Sequence, residues 1–476
     1  MKKTIIALSA VTALATTSFG STDIDARLSK MEKKIKKLEK KLKKSNKKLN
    51  KVKAHDAGDN IKWDVDFRST LDNITYKLAD GTTKKKGSLL SNRLLLNMKF
   101  KAEDTVTFYG TLAYNKLYGA STGQNNGFEN FDWVTNETAS TDNNLRVKEA
   151  YWLYANDTFM GKDISWTASI GRRPSTGGLG INYREGDKRK SAIGSTVNVE
   201  FDGVSLRWNI DQVTPLPGAW FKFCGGRGLT NAYQRFNDTT NGADYSSNSA
   251  LTKDSNMIGF IFVPYDDGQY SVHTNWAQAD HLIGYDNAGL QAVMGGNPAA
   301  FKDVGDITLS TVVVKAEGIG DGINDFLDDT IAFVSFSQSK TSPADNQAML
   351  GSTSSKTGTS FWIGAQMPCP ITDDGRLGIE YNKGSKYWRS MTYGEDTVVG
   401  SKIAARGTAI EAYWLKPITK SLTLNLRYTK IDYDYTGSNG FFGAGGTPMS
   451  ISDAHNAGMN PVDKATDIRA SIRYKF

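Results

Sequence analysis

Residues 468–476, IRASIRYKF, end the chain and carry the pattern that decides its fold. Back from the terminal Phe476, every second residue is apolar or small, namely Tyr474, Ile472, Ala470 and Ile468. The residues between them are polar, namely Arg469, Ser471, Arg473 and Lys475. Because successive side chains of a strand point to opposite faces, this period of two predicts a β-strand with one apolar and one basic face.

The same period returns from Ile61 onward, for example in WDVDFR at residues 63–68 and LNMKF at residues 96–100. Seven short turns alternate with eight long polar stretches, which predicts 16 strands with both chain ends on one side of a barrel. We place the strand centres near residues 66, 95, 111, 149, 168, 198, 207, 259, 273, 310, 333, 362, 380, 408, 427 and 472. Residues 218–223 (GAWFKF) are assigned to the fourth long loop; if they and a partner are strands, the barrel has 18.

Composition favours a membrane barrel over soluble domains. Only 39% of the 476 residues are hydrophobic, yet Tyr (20), Phe (21) and Trp (10) are plentiful, as expected for a polar lumen between aromatic girdles. No segment after the N-terminus reaches the roughly 18 apolar residues that a spanning helix needs. The expected fold is therefore all-β, an antiparallel transmembrane β-barrel over residues 61–476, preceded by an α-helical coiled-coil arm. Two cysteines make no disulfide framework.

The N-terminus predicts export from the cytoplasm. Residues 1–20 contain Lys2 and Lys3, an apolar stretch and then Ser18-Phe19-Gly20, which are the three parts of a secretory signal peptide. The last strand resembles the signal by which outer-membrane barrels are recognised for assembly, with Ile472, Tyr474 and Phe476 as its apolar positions. That resemblance implies the bacterial outer membrane as location and the barrel assembly machinery as a partner, with outer-membrane lipid around the barrel.

Residues 21–53 predict a basic coiled coil, and residues 54–60 a linker. Fourteen basic residues stand against four acidic ones. Leu28, Ile35, Leu42 and Leu49 occupy one core position of four heptads, while Glu32 and Glu39 at e positions face Arg27 and Lys34 at g positions of a parallel neighbour. We expect a periplasmic arm that forms a homotrimer. Its outer lysines are either a solvated face or bind a polyanion such as peptidoglycan; nucleic acid is excluded by export.

Sixteen strands enclose an interior too wide for side chains to fill, hence a water-filled channel. Alternation predicts these inward basic residues: Arg68, Arg93, Lys99, Arg207, Arg427, Arg469, Arg473 and Lys475. It predicts these inward acidic residues: Asp64, Asp66, Asp72, Glu200, Asp211 and Glu380. The excess of cations is slight.

The third long loop contains GRRPSTGGLGINYREGDKRK at residues 171–190, rich in basic residues. The chain resembles trimeric general porins in architecture, and in that family the third loop folds into the barrel and narrows it. This positional resemblance implies that Arg172, Arg173 and Arg184 reach the pore and favour anions, since arginine suits carboxylate and phosphate. The alternative is that these arginines bind lipopolysaccharide phosphates outside.

The string GRRPSTGG, the basic arm and AYWLY at residues 150–154 also resemble an uncharacterised family of porin-like outer-membrane proteins from campylobacteria. The expected function is a porin for passive diffusion of small hydrophilic solutes, without enzymatic activity or cofactor. Two alternatives are a structural tether to peptidoglycan and an outer-membrane barrel hydrolase. The acid-rich turn at residues 318–329 favours a solvated turn over calcium, because it lacks the spacing of a calcium loop.

Overall fold

In the computed structural model, the alternating segments form sixteen strands. They are β1 (Lys62–Leu78), β2 (Thr83–Lys101), β3 (Val106–Leu117), β4 (Arg146–Asn156), β5 (Trp166–Arg173), β6 (Phe201–Asn209), β7 (Trp220–Leu229), β8 (Ser255–Asp266), β9 (Tyr270–Gly284), β10 (Lys302–Glu317), β11 (Ile331–Pro343), β12 (Thr357–Pro368), β13 (Arg376–Gly384), β14 (Gly407–Pro417), β15 (Leu422–Tyr433) and β16 (Val462–Lys475). Each strand pairs with its neighbours in sequence, and β1 pairs with β16, so the sheet is a closed barrel. The predicted all-β fold and the count of 16 are confirmed.

The structure describes residues 61–120, 143–190, 193–233, 235–236, 244–247, 252–294, 297, 299–320, 322–392, 395–438 and 446–476, together with residues 35, 36, 38, 41 and 42. The chain divides into two compact units, Met1–Asn60 and Ile61–Phe476. The five described residues of the first unit are helical. The predicted signal peptide, the linker and the rest of the predicted arm lie outside the described residues.

The last strand closes the barrel. Strand β16 is in antiparallel register with β1 from Asp66↔Lys475 to Leu78↔Val462. At its end, Val65 N donates to Phe476 O at 2.8 Å and Phe476 N donates to Val65 O at 2.9 Å. Closure pairs the backbone groups that an open sheet edge would leave unpaired.

The two faces of the sheet differ as alternation predicts. On β1 and β16, Phe67, Leu71 and Ile468 are exposed on the outer surface, whereas Arg68 and Arg469 are buried inside. The outer surface carries many large apolar side chains, among them Trp152, Ile258, Phe260, Val312, Val314, Phe336, Ile363, Ile410 and Leu426. A lipid environment would cover this surface, because apolar residues facing outward at every second position are the pattern of membrane barrels.

One predicted strand was wrong and one was missed. Residues near 198 and 207 were predicted to be two strands joined at Asp202-Gly203, but a single strand, β6, runs through that point. Residues 218–223, predicted to be loop, begin β7. The two errors cancel in the count, which is why 16 was still obtained.

The described parts of the connections contain four short helical segments: a 3-10 turn (Tyr183–Glu185), α1 (Asn287–Met294), α2 (Asp325–Asp328) and α3 (Ile451–Asn456). Asn324 caps α2, since its side chain accepts from Leu327 N at 2.9 Å. Among the residues described, no helix combines the length and apolar character needed to cross a membrane. Both cysteines are free thiols, Cys224 on β7 and Cys369 in the turn after β12.

The barrel interior contains an apolar core on one side. Ile261, Ala277, Ile307 and Leu309 on β8–β10 pack with Val199 and other residues of the third loop in one buried cluster. A second cluster joins Phe333 and Trp362 on β11 and β12 to residues of the same loop. A uniformly polar lumen was expected, so this apolar wall is a correction. Its physical reason is that loops dock on it and remove it from water.

Candidate functional site in the barrel interior

Loop 3, residues 174–200, folds into the barrel and is fixed there by both apolar and polar contacts. Tyr183 stacks on Phe333 with ring centroids 5.8 Å apart. Gln366 Nε2 donates to Tyr183 O at 2.8 Å, and Asn425 Nδ2 donates to Arg184 O at 2.9 Å. The loop therefore crosses the interior from the β12 wall to the β15 wall.

Gly180 is required for this docking. Its φ is +94°, and an added Cβ would lie 2.3 Å from the Trp362 ring. A residue with a side chain is disfavoured at such a φ and would also displace the indole. The glycines that the sequence places in this loop thus allow close approach to the wall.

Loop 7, residues 385–406, also enters the barrel, which the sequence did not predict. Asn198 N donates to Met391 O at 2.9 Å, and Met391 N donates to Thr196 O at 2.9 Å, so loops 3 and 7 pair with each other. Lys402 Nζ lies 2.6 Å from Glu380 Oε2 on the β13 wall. Loop 7 carries Glu395 and Asp396 into the interior, where both contact arginines.

A row of arginines crosses β2, β1 and β16. Arg93 is directly opposite Arg68, and Arg68 is directly opposite Arg473. Like charges at such spacing repel unless acids compensate them. Compensation comes from Asp396, whose Oδ1 is 2.7 Å from Arg68 Nη2 and whose other oxygen contacts Arg93, and from Asp66, which accepts from Arg473 Nε at 2.8 Å.

Loop 3 supplies the remaining acids to this wall. Glu185 Oε1 is 2.6 Å from Arg427 Nη2, and Glu185 Oε2 is 3.3 Å from Arg68 Nη1. Asp187 lies 2.9 Å from Arg473 and 2.6 Å from Lys475. These predicted pore-lining residues face the interior, but their charges are paired.

The charge of Glu185 is set by these neighbours. Burial raises the pKa of its carboxyl, but the surrounding arginines, Arg68 first and then Arg427, outweigh burial and hold the pKa well below its usual value of 4.5. Glu185 is therefore an anion in the neutral pH range. It anchors the loop electrostatically to the basic wall.

Arg469, the last of the predicted basic wall residues, is likewise paired. Its Nε donates to Asp72 Oδ1 at 2.5 Å, and its Nη1 donates to Asp396 O at 2.9 Å. Two predicted inward acids lie off the strand walls: Glu200 ends loop 3 and Asp211 lies in the turn between β6 and β7.

Arg184 was expected either to reach the pore or to bind lipopolysaccharide phosphates outside the barrel, and its surroundings fit neither expectation. Its side chain is 1% exposed, and its Nη1 lies 3.5 Å from both Glu395 and Glu411. Desolvation on burial lowers the pKa of its guanidinium, but Glu411 and Glu395 reverse this and raise the pKa above its ordinary value. Arg184 thus joins loop 3 to loop 7 and β14 through buried ion pairs.

Arg172 and Arg173 point to opposite faces of β5. Arg172 shares the face of Ile170, which is exposed on the outer surface, and pairs with the exposed Asp202 at 3.6 Å. Arg173 points inward, where its guanidinium lies 4.2 Å from the centroid of the Tyr151 ring. The expectation that Arg172 reaches the pore is corrected, because the alternation that directs Arg173 inward directs its neighbour outward.

A second group of cations faces the interior from β5–β7 and the end of loop 3. Arg207 and Lys222 are directly opposite each other on β6 and β7. The guanidinium groups of Arg207 and Arg189 lie 4.2 Å and 5.7 Å from the centroid of the Trp220 ring. Of the four cations Arg173, Arg189, Arg207 and Lys222, only Arg173 and Arg207 were predicted to line the pore. Arg189 was visible in the basic string of loop 3, but Lys222 was hidden by the assignment of β7 to a loop.

A cavity of about 780 Å³ lies beside the row of arginines, and Arg173, Arg189 and Lys222 of the second group also line it. It is bounded by β1–β5, β7 and β16 on the barrel side and by residues 174–190 of loop 3 and residues 395–396 of loop 7 on the other. Eleven basic and seven acidic side chains line it. The cavity is therefore wet, highly charged and biased toward positive charge.

Among the described residues, His273 and Ser271 form a candidate pair for the hydrolase alternative. His273 Nε2 lies 2.8 Å from Ser271 Oγ, and His273 Nδ1 lies 3.0 Å from Arg189 Nη1. A guanidinium only donates, so Nδ1 accepts and the proton of the neutral ring is on Nε2, which donates to the serine. That tautomer cannot take a proton from Ser271, so this pair lacks the base that a serine nucleophile needs.

Within the described ranges, no three His, Cys, Asp or Glu side chains are placed to hold a metal ion. The three positions of the proposed assembly signal, Ile472, Tyr474 and Phe476, all lie on the outer face of β16 and are exposed.

Comparison with known proteins gives a family. The model of the family described as "Protein of unknown function (DUF3373)" matches residues 83–476. No curated protein matches the sequence.

Several solved structures are similar to this chain. An anion-selective porin from Comamonas acidovorans is 12% identical, with a TM-score of 0.47 over 88% of this chain and 100% of that one. OmpF of Salmonella typhi, solved with daunomycin, is 12% identical, with a TM-score of 0.45 over 88% and 99%. OprB of Pseudomonas putida is 12% identical, with a TM-score of 0.45 over 90% and 96%.

Proposed function

The chain belongs to the DUF3373 family of proteins of unknown function, and we propose that it forms a passive diffusion channel of the bacterial outer membrane that prefers anions. The observation that carries this proposal is a closed 16-stranded barrel with a charged cavity of about 780 Å³ beside an inserted loop. A barrel of this strand number is too wide to be filled by its own side chains. Loops 3 and 7 narrow it on one side and leave a polar path on the other.

The outer-membrane location is supported by the surface as well as by the predicted signal peptide. Apolar side chains such as Ile258, Val314 and Ile468 are exposed on the outer face, which is the pattern that contact with lipid requires of a membrane barrel. Spanning strands must also have no free edge, and this barrel has none.

The preference for anions follows from where charge is left uncompensated. On the β16–β1–β2 wall each arginine has a carboxylate partner from Asp66, Asp72, Glu185, Asp187 or Asp396. On the opposite wall, Arg173, Arg189 and Arg207 have no carboxylate within 4.0 Å among the described residues. A net positive stretch in a narrow wet path raises the local concentration of anions.

The decisive experiment uses two adjacent arginines. Purified protein is placed in planar bilayers under a KCl gradient, and the reversal potential is measured for the parent, Arg173→Ala and Arg172→Ala. We expect the parent to prefer anions. In Arg173→Ala, the ratio of anion to cation permeability should fall about two- to fivefold, which is the effect of one unit charge near a wet path. Arg172→Ala is the matched control, because that side chain lies on the outer face, and it should behave as the parent. Cation preference in the parent, or equal effects of both changes, would refute the proposal.

The second candidate is a tether to the cell wall, and one observation favours it. In the first unit, Ile35, Leu38 and Leu42 are exposed on helical residues, and the sequence surrounds this apolar stripe with lysines. We propose that the outer lysines bind peptidoglycan carboxylates. Replacing Lys36, Lys37, Lys43 and Lys44 by Gln should abolish co-sedimentation with peptidoglycan at low salt. Unchanged co-sedimentation would remove this role, while the channel proposal would stand.

A further inference from the structure

Two arginines of the β5–β7 wall, Arg173 and Arg207, share a construction in which the guanidinium stacks on an aromatic ring. Arg207 stacks on Trp220 at 4.2 Å and Arg173 stacks on Tyr151 at 4.2 Å. Stacking occupies a face of the planar guanidinium and leaves the N–H groups at its edge free to donate. For Arg173, Nε and Nη1 are buried and have no hydrogen-bond partner among the residues that the structure describes.

Two further contacts hold the group in place. Arg207 Nε donates to Asn209 Oδ1 at 3.2 Å, which fixes the guanidinium along its strand. Arg189 Nη1 donates to His273 Nδ1 at 3.0 Å while its guanidinium also lies near Trp220. These anchors are neutral side chains, so they orient the arginines without cancelling their charge.

The cations lie near one another despite their repulsion. Arg173, Arg207 and Arg189 all act electrostatically on Lys222, which is opposite Arg207 in the sheet. The acids of this wall are already engaged, since Glu149 lies 2.5 Å from Lys190 and Glu200 contacts Lys148. Asp211 acts on Arg207 only from beyond ion-pair distance. A cluster of this kind is most stable when an anion occupies it.

We propose that Arg173, Arg189 and Arg207, next to Lys222, form a binding site for a phosphate group, at which a phosphate-bearing solute binds on its way through the cavity. Phosphate offers several acceptor oxygens and more than one negative charge, which matches several oriented guanidinium edges better than chloride does. The site is distinct from the wall of Arg68, Arg93 and Arg473, whose charges are paired within the protein. This inference rests on the proposed channel function for its physiological meaning, but binding itself does not.

The test measures binding and conductance separately, with inorganic phosphate as the probe. Calorimetry on the detergent-purified protein should show saturable phosphate binding, and phosphate added at constant ionic strength should reduce single-channel chloride conductance. Arg189→Gln and Arg207→Gln should each weaken both effects about tenfold, as loss of a charge-assisted hydrogen bond predicts. Lys222→Arg keeps the charge and should keep both effects. Arg227→Gln is the matched control, because it removes an arginine from the exposed outer face of the same strand.

The outcomes separate the site from the channel. Conductance without phosphate binding, or phosphate effects unchanged in both arginine variants, overturns the site and leaves the channel proposal intact. Phosphate binding that the variants abolish, in a protein with no conductance, supports the site and refutes the channel. If the glutamine variants fail to fold, Arg207→Lys replaces them. Loss of phosphate binding in this variant supports the site, because lysine keeps the charge but cannot donate two parallel hydrogen bonds as a guanidinium does.

Discussion

At the scale of single residues, the interior is a set of buried charges that are mutually compensated. Burying a lone arginine or carboxylate is costly, and the cost is offset only when a partner of opposite charge is well placed. Arg68, with 4% of its surface exposed, meets this condition through Asp396 and Glu185. Both acids belong to inserted loops, so the basic wall and the loops stabilise each other.

Replacing Glu185 by Gln should destabilise the folded barrel. The change leaves Arg68 and Arg427 without one of their acids, and breaking such a buried pair costs about 3 kcal/mol. We expect the free energy of unfolding in urea to fall by about that amount at pH 7. Asp104→Asn, which removes an acid from an exposed pair with Lys101, is the control and should leave stability unchanged.

Acid should reveal the same interaction in the parent protein. Because the folded state holds the pKa of Glu185 below 4.5, its contribution is fully present above that pH and is lost as the pH falls toward the folded value. Stability measured from pH 7 to pH 3 should stay level to about pH 5 and then decline. The decline should be smaller in Glu185→Gln; an identical decline in both proteins would mean that other carboxylates account for it.

The faces of single residues were predictable wherever a strand was correctly placed. Alternation from Phe476 directs Arg469 and Arg473 inward, and the structure places both inside. Arg172 was misplaced because its assignment rested on the position of loop 3 rather than on the parity of β5. Partners could not be predicted, since the acid closest to Arg68, Asp396, is 328 positions away in the sequence.

At the scale of elements, loop 3 shows why alternation alone misleads. Residues 196–200 (TVNVE) alternate like a strand, and Val197 and Val199 are indeed buried, while Glu200 contacts Lys148. An extended loop between an apolar cluster and a polar network has the same period as a half-buried strand. The sequence therefore predicted a strand where the chain is a docked loop.

Strand β7 was missed because it ends in glycines that read as a loop. Gly225 and Gly226 lie against Gly203 of β6, where an added Cβ on Gly203 would be 2.1 Å from Gly225 O. The two strands approach so closely that a side chain does not fit between them. Glycine here is part of the sheet, not a sign of its end.

Gly203→Ala should therefore impair pairing of β6 with β7. Forcing a methyl group into that space should cost about 2 kcal/mol, as overpacking does. We expect a lower yield of the folded, heat-modifiable form on electrophoresis after refolding. Gly87→Ala on β2 is the matched control, because the nearest atom to its added Cβ is Asn73 Oδ1 at 3.9 Å. Equal yields for both variants would show that the close approach is not needed.

Strand β16 combines closure with the proposed assembly signal, and the two can be separated. Phe476→Ser keeps the backbone bonds to Val65 and removes an outward ring that is 76% exposed. We expect stability of the refolded protein to be unchanged but the amount inserted into the outer membrane of cells to fall severalfold. Ile468→Ser removes an outward apolar side chain from the same strand and should insert better than Phe476→Ser. Equal insertion of the two variants would contradict a terminal signal.

At the scale of the whole molecule, the barrel interior is divided into two halves. Loops 3 and 7 pack on the apolar wall of β8–β12, and the charged cavity remains beside β1–β5, β7 and β16. This division could not be predicted from the sequence. Inward apolar residues such as Ile261 and Val313 show the same alternation as one face of any strand. Only the docked loops explain why those residues are stable inside the barrel.

The predicted coiled-coil arm supplies the last prediction, which concerns assembly. Leu38 and Leu42 are 64% and 63% exposed on a single chain, although both occupy core positions of the heptad pattern. Exposed leucines on two adjacent turns are unfavourable in water, and parallel copies would bury them against one another. We expect the intact protein to be a trimer whose channels open in steps of three.

Leu38→Ser/Leu42→Ser should convert that trimer to a monomer in light scattering and give single conductance steps of unchanged size. Deletion of residues 21–53 should have the same effect, because each barrel encloses its own cavity. Lys36→Gln/Lys43→Gln, which changes two outer positions of the same heptads, is the control and should remain a trimer. If the leucine variant also remains a trimer, the barrels themselves hold the assembly together, and the apolar stripe of the arm must serve another contact.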